Sequence, residues 1–359
     1  IRHPQAGGAE NISWHLMQNL IKDGHRVRLI TAFYPGSKTS ENISGVEIIR
    51  RGRKVSVYHQ AKKYYKQNLT NWADFCIDEM NTIPFGCAFY SKTPGVLLAY
   101  QLARNVWFYQ LPLPLSVIGY LIEPIYLRAL ARRYQKVITE SQSTKNDMVS
   151  FGFKPKQVGV FRVGIELKPL NKLPPKDNMN EILILGAVRP MKRTLSAVKG
   201  FEFARDFNSS LKLTLAGNID GPYGNKVARH IRNSRHSDAI KILGRVSQSE
   251  KIDLMRSSTV ILVTSIKEGW GLIVTEANSQ GTPAISYDCD GLRDSVLNNQ
   301  SGLLVNSGDE QALGQAINTL LSSPEEYLKI RQAAWQLSQS YTFELSYNDF
   351  IRVSGIKNF

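Results

Sequence analysis

From residue 182 to residue 287, strand-length apolar runs return at intervals, and helix-length stretches separate most of them. Strands are read at Ile182–Gly186, Lys212–Ala216, Ile240–Leu243, Val260–Thr264 and Pro283–Tyr287, with helices at Leu195–Arg205 and Leu272–Gln280. That alternation is what a parallel sheet covered by helical crossovers requires. It restricts this part of the chain to a doubly wound α/β domain.

The first half repeats the pattern more loosely. Apolar residues Ile12, Leu16 and Leu20 mark a helix over Glu10–Lys22; Gly24 terminates it, and a strand follows over Arg26–Thr31. Further strand-like runs lie at Phe75–Ile77, Val96–Tyr100 and Lys136–Thr139. A parallel-sheet domain normally has a strand before such a loop and helix, yet only seven residues precede Gly8, so the opening strand is expected to be missing. The proline-rich, polar stretch Lys168–Asn180 reads as an interdomain linker. With 359 residues and 42% hydrophobic content the chain has enough core for two domains. The expected division is 1–168, 169–335 and a C-terminal helical segment 336–359 that crosses back to the first domain, with Asp309–Leu321 and Pro324–Phe350 reading as helical.

Composition narrows the function. Cys76, Cys87 and Cys289 are widely spaced and odd in number, which argues against a disulfide framework or a thiolate metal site and favours a reducing, cytoplasmic location. The six histidines lack ligand spacing, so no tightly held metal is expected. No secretory signal is read, and the most apolar stretch, Val106–Leu130, is broken by Pro112, Pro114, Glu123, Pro124 and Arg128, so it does not read as a membrane span. Residues 1–168 hold 23 Lys/Arg against 11 Asp/Glu, which places +12 of the net +15 in the first half and suits an anionic partner. Between Trp107 and Lys136 large apolar and aromatic residues mix with Arg128, Arg132, Arg133 and Lys136. This fits either peripheral binding to the anionic cytoplasmic face of a membrane or an ordinary core. No recognised nucleic-acid-reading motif accompanies the basic charge, and no nucleic-acid partner is expected.

The segment richest in chemistry is Ser265-Ile-Lys-Glu-Gly-Trp-Gly-Leu-Ile-Val-Thr-Glu-Ala-Asn-Ser-Gln-Gly-Thr-Pro, which follows an apolar strand and runs into a helix closed by Gly281. A loop carrying Gly269, Trp270, Gly271 and Leu272 at a strand's carboxyl end lets the amides of a helix N-terminus approach a phosphate. Glu268 can accept hydrogen bonds from sugar hydroxyls, and Glu276, about two helical turns on, from a ribose.

In this setting the chain resembles the retaining glycosyltransferases of family 4, whose hallmark is two glutamates separated by seven residues in Gly-rich surroundings, as Glu268 and Glu276 are. The resemblance implies the GT-B fold, two Rossmann-like doubly wound domains facing a central cleft. It assigns Lys192, in Gly186-Ala-Val-Arg-Pro-Met-Lys-Arg, to the leaving diphosphate. The family's arginine directly after the glycine is replaced by Ala187 here, and Arg189 stands in for it. Gly7 and Gly8, in Pro4-Gln-Ala-Gly-Gly-Ala-Glu, resemble the family's first-domain glycine loop, while Gly217 and Val246 resemble its phosphate- and base-contacting positions. Further similar stretches begin at Asp78, Tyr100, Ser141 and Gly291, which makes Asp78, Tyr100 and Gln101 candidate acceptor or sugar contacts; Tyr100 fits the core equally well. What the resemblance implies is transfer of a sugar from a UDP- or GDP-sugar to a hydroxyl on a glycan or lipid-linked acceptor, with retained configuration and with neither cofactor nor metal. A nucleotide-sugar epimerase or a sugar phosphorylase is the nearest alternative.

Overall fold

The computed structural model describes residues 7–176 and 178–356. The first elements are α1 (Gly8–Lys22), β1 (Arg28–Thr31), β2 (Ser40–Ile43), β3 (Val46–Arg50), α2 (Val57–Asn68), β4 (Cys76–Met80) and β5 (Gly95–Ala99). They are followed by α3 (Trp107–Gln110), α4 (Leu115–Arg133), β6 (Val137–Thr139), α5 (Gln142–Ser150) and β7 (Val158–Val160). Next come β8 (Glu181–Leu185), α6 (Thr194–Phe207), β9 (Lys212–Ala216), α7 (Pro222–Arg232), β10 (Ile240–Gly244), α8 (Gln248–Ser257), β11 (Val260–Val263) and α9 (Leu272–Ser279). The chain ends through β12 (Ala284–Asp288), α10 (Leu292–Ser295), β13 (Gly302–Asn306), α11 (Glu310–Ser322), α12 (Pro324–Ser338) and α13 (Phe343–Ser354). One compact unit takes in Ile1–Trp107, Leu113–Gly164 and Phe343–Phe359; the other takes in Phe108–Pro112 and Ile165–Thr342.

In the second unit six strands stand in the order β10-β9-β8-β11-β12-β13, every neighbouring pair parallel. Counted from β8 this is the 3-2-1-4-5-6 order of a doubly wound sheet, whose direction of winding reverses between β8 and β11. Ile182, Leu183, Leu213, Leu215, Val260, Ile261, Ala284 and Ile285 are buried, as central parallel strands demand. The stretch expected to be a linker is instead docked on this unit. Leu167 is buried, Trp335 Nε1 donates to Leu170 O (2.9 Å), Arg331 Nη2 donates to Pro174 O (2.7 Å), and Lys176 Nζ donates to Arg256 O, Ser258 O and Thr282 Oγ1.

The first unit departs from one continuous parallel sheet. Four parallel strands run in the order β4-β5-β6-β7, and a separate three-stranded sheet, β1-β3-β2, contains an antiparallel pair. Ile43 pairs with Val46, which leaves Ser44 and Gly45 as a two-residue turn with φ of 50° and 87°, the geometry that matches strand twist in a tight hairpin. Pro124 does not interrupt α4, which runs through it. Proline at that position removes the N–H that would reach the Tyr120 carbonyl, but Arg104 Nη1 donates to that oxygen instead (3.2 Å). The helical end of the chain is interrupted after Ser338. Its last helix, α13, belongs to the first unit, where Phe350 lies edge-on to Phe161 (6.2 Å), Asp349 pairs with Arg162 (2.7 Å) and Tyr347 donates to Asp23 (2.6 Å).

Candidate functional site

The reversal point of a doubly wound sheet is where two neighbouring strands send their chains to opposite faces, leaving a crevice at their carboxyl ends. In the second unit those ends carry residues 186–193, after β8, and 264–271, after β11. The two loops are joined by hydrogen bonds: Ile266 N donates to Met191 O (2.9 Å), and Thr264 Oγ1 donates to the carbonyls of Lys192 (3.0 Å) and Arg193 (3.1 Å). Pro190 starts the 3-10 turn that presents Lys192, and Arg193 closes it in the left-handed region (φ 47°, ψ 39°). A non-glycine residue there costs of order 1–3 kcal/mol, and such strain collects at functional sites.

This framework brings Lys192 Nζ to 2.5 Å from Glu268 Oε1, across 76 positions of sequence. Ser265 Oγ donates to the same carboxylate oxygen (2.5 Å). Both charged side chains keep access to solvent, with 37% of Lys192 and 16% of Glu268 exposed, so a ligand can reach the pair. A third loop fixes the glutamate from behind. Glu268 N donates to Asp290 O (3.0 Å), Cys289 Sγ to Ser265 O (3.2 Å), and Lys267 Nζ pairs with Asp290 (2.9 Å). Gly291 makes this approach possible: at φ 78°, a Cβ there would fall 2.4 Å from the Glu268 carbonyl oxygen.

The helix that follows, α9, is capped by Gly271, itself left-handed (φ 91°, ψ 54°). Trp270 is buried, donates its indole N–H to Thr275 Oγ1 (2.9 Å) and packs against Tyr341 (5.1 Å between rings), so the loop can offer a ligand its backbone but not the indole. Gly269 and Gly271 are buried, and Leu272 is half-buried at the first turn. Glu276 is given a different lysine, with Lys251 Nζ 2.7 Å from Oε2. Burial raises the Glu276 carboxyl above its ordinary range, the Lys251 ammonium opposes that, and Glu166 adds to it.

Arg189 is exposed at the start of the 3-10 turn. Gly217 follows β9, where a Cβ would sit 1.8 Å from the Gly186 carbonyl oxygen, so the contact between these loops itself requires glycine. Val246 is half-buried beyond the end of β10, one residue before the Ser247 cap of α8.

In the first unit, Gly7 caps α1 and donates its N–H to Glu10 Oε2 (2.9 Å); Gly8 is exposed in the first turn, and Pro4–Ala6 of the same motif lie outside the described residues. Two expected contacts are turned inward. Asp78 is 1% exposed and accepts from the amides of Phe85 and Cys87 and from the Tyr134 hydroxyl, so its lone pairs anchor the loop after β4. Tyr100 is 3% exposed, with its hydroxyl 2.5 Å from Ser13 Oγ. Gln101 is half-buried beside it. Glu79, which sequence reasoning passed over, lies at the carboxyl end of β4, where burial raises its carboxyl to about 7 against the lowering effect of Ser13.

Residues 168–336 match the family of glycosyl transferases group 1. The match covers a little under half of the chain, 169 of its 359 residues. Glycogen synthase of Mycobacterium tuberculosis strain H37Rv is 26% identical over 210 residues, which cover 58% of this chain and 50% of that protein. The chain thus spans about half the length of the curated relatives it matches. Among solved structures, sucrose-phosphate synthase from Thermosynechococcus elongatus superposes with a TM-score of 0.77 at 18% identity, covering 97% of this chain and 92% of that one. Anabaena HepE in complex with UDP and glucose superposes with a TM-score of 0.72 at 14% identity, covering 96% and 95%. Identities this low show the fold alone, and that fold is GT-B. The group 1 match contains Lys192, Glu268 and Glu276.

Proposed function

We propose that this chain is a retaining glycosyltransferase of family 4 that moves a sugar from a UDP- or GDP-sugar to a hydroxyl of a glycan or lipid-linked acceptor. The observation that supports it best is the Lys192–Glu268 pair, reachable from solvent, at the reversal point of a doubly wound sheet. Breaking the bond between an anomeric carbon and a diphosphate puts growing negative charge on the departing phosphate oxygen. Fixed positive charge aimed there lowers the barrier. Lys192 supplies the ammonium, Arg189 adds a guanidinium from the same turn, and the first amides of α9 add the positive end of the helix dipole. Glu268 accepts a hydrogen bond from a sugar hydroxyl, and Glu276, paired with Lys251, accepts from the ribose. As the anomeric bond breaks, the leaving phosphate oxygen takes the proton of the attacking hydroxyl on the same face, which retains the configuration and needs neither a protein nucleophile nor a metal ion. A structural neighbour that holds UDP and glucose favours a uridine donor.

A donor screen by thermal shift tests the reading. A nucleotide that binds only the native state raises its melting temperature with concentration, by about 2.7 kcal/mol of stability at a hundred times Kd. UDP or GDP, and the matching sugar conjugate, are expected to shift melting by several degrees, with a smaller shift for Glu276→Ala. Indifference to all of them contradicts the proposal.

A further inference from the structure

The helix α4 is reversed in polarity. Ser116 and Glu123 face the core of the first unit at 1% and 0% exposure, while Ile118, Leu121, Ile122 and Ile125 stand 47%, 61%, 49% and 66% exposed. Their spacing of three, four and seven places them in one stripe along the helix, which Leu115 extends at its start. The inward polar side chain is fully employed. Glu123 accepts from the amides of Ala103 and Arg104 and from the Trp107 indole, which holds α4 in this orientation.

Scattered exposed leucines are ordinary, but a continuous stripe this long marks an interaction surface. Its occupant is indicated by charge. Three and seven residues beyond Ile125, in line with the stripe, come Arg128 and Arg132, both exposed; beside them Arg133 lies over the ring of Phe89 (5.8 Å), itself half exposed. The only acidic residue of α4 is the buried Glu123, so the outer face presents arginines and no carboxylate. A second copy would bring more positive charge, since residues 1–168 hold 23 basic against 11 acidic groups. An anionic lipid surface brings the opposite charge and an apolar layer beneath it.

We propose that α4 lies in the interface of an anionic membrane, with the Ile118–Ile125 stripe in the acyl boundary and Arg128, Arg132 and Arg133 against lipid phosphates. No helix among the described residues is long and apolar enough to cross a membrane, so contact of this kind lies along the surface. The inference stands apart from the sugar-transfer reading and is read out without catalysis.

Flotation of the full chain with vesicles tests it, comparing pure phosphatidylcholine with phosphatidylcholine containing phosphatidylglycerol. Binding is expected with the anionic vesicles only and weakens with salt. Leu121→Glu/Ile125→Glu should cut partitioning at least tenfold at every salt concentration. Arg128→Ser/Arg132→Ser, at about fivefold per charge, should cut it at least tenfold at low salt and less at high salt. Should the glutamate variant melt early, the arginine pair, on the outer surface, carries the comparison. Binding indifferent to anionic lipid, wild-type binding by both variants, or a dimer in sedimentation that Leu121→Glu/Ile125→Glu dissociates would each overturn the proposal.

Discussion

Two lysine–glutamate pairs stand in different surroundings within the second unit. Lys192 meets Glu268 where both remain open to solvent, whereas Lys251 meets Glu276 at a more enclosed position on α9, where burial alone would favour the neutral acid. The Glu79 carboxyl in the first unit is raised to about 7 by burial, against the lowering effect of Ser13. An acid whose folded pKa exceeds its unfolded value holds its proton longer in the folded state, so stability is greatest below the unfolded value near 4.5 and falls as pH rises toward 7. Glu79→Gln should therefore gain stability on the wild type between about pH 5 and about pH 8, measured by urea unfolding at both. A difference independent of pH would remove the buried carboxyl from the account.

At the level of elements, the site depends on loops whose backbones touch. Gly291 lies where a Cβ would strike the Glu268 carbonyl, in a left-handed conformation. Gly291→Ala is expected to cost about 1–3 kcal/mol and, by displacing the glutamate loop, to slow turnover roughly tenfold or more. Equilibrium unfolding and steady-state rates check the two effects, and wild-type values in both would contradict it. Five of the six strands of the second unit were legible because strands of a parallel sheet are apolar along their length, and the glutamate segment because glycines and acids stand together in it; β13, mostly half-buried, was missed. The partners were not. Lys192 is 76 positions from Glu268 and Lys251 is 25 from Glu276, separations that only the sheet order brings together. That α4 continues through Pro124 was not legible either, since the guanidinium that replaces its missing bond comes from Arg104, twenty positions away. Nor does apolar content say which side of α4 faces out; that was decided by the hydrogen bonds of Glu123. The Ser44-Gly45 hairpin, by contrast, left its signal in the sequence and was missed.

For the whole molecule, the chain consists of two units, and the group 1 match falls within the second, which owns the lysine and both glutamates of the site. The central claim is that Lys192, set against Glu268, receives the charge of a departing nucleoside diphosphate. The most direct measurement is release of nucleoside diphosphate by the full chain supplied with a nucleotide sugar and a hydroxyl acceptor, for the wild type and for Lys192→Ala with matched thermal stability. The account predicts steady release by the wild type and a loss of roughly ten- to a thousandfold in kcat for the variant. A Lys192→Ala enzyme that releases diphosphate at nearly the wild-type rate would contradict it.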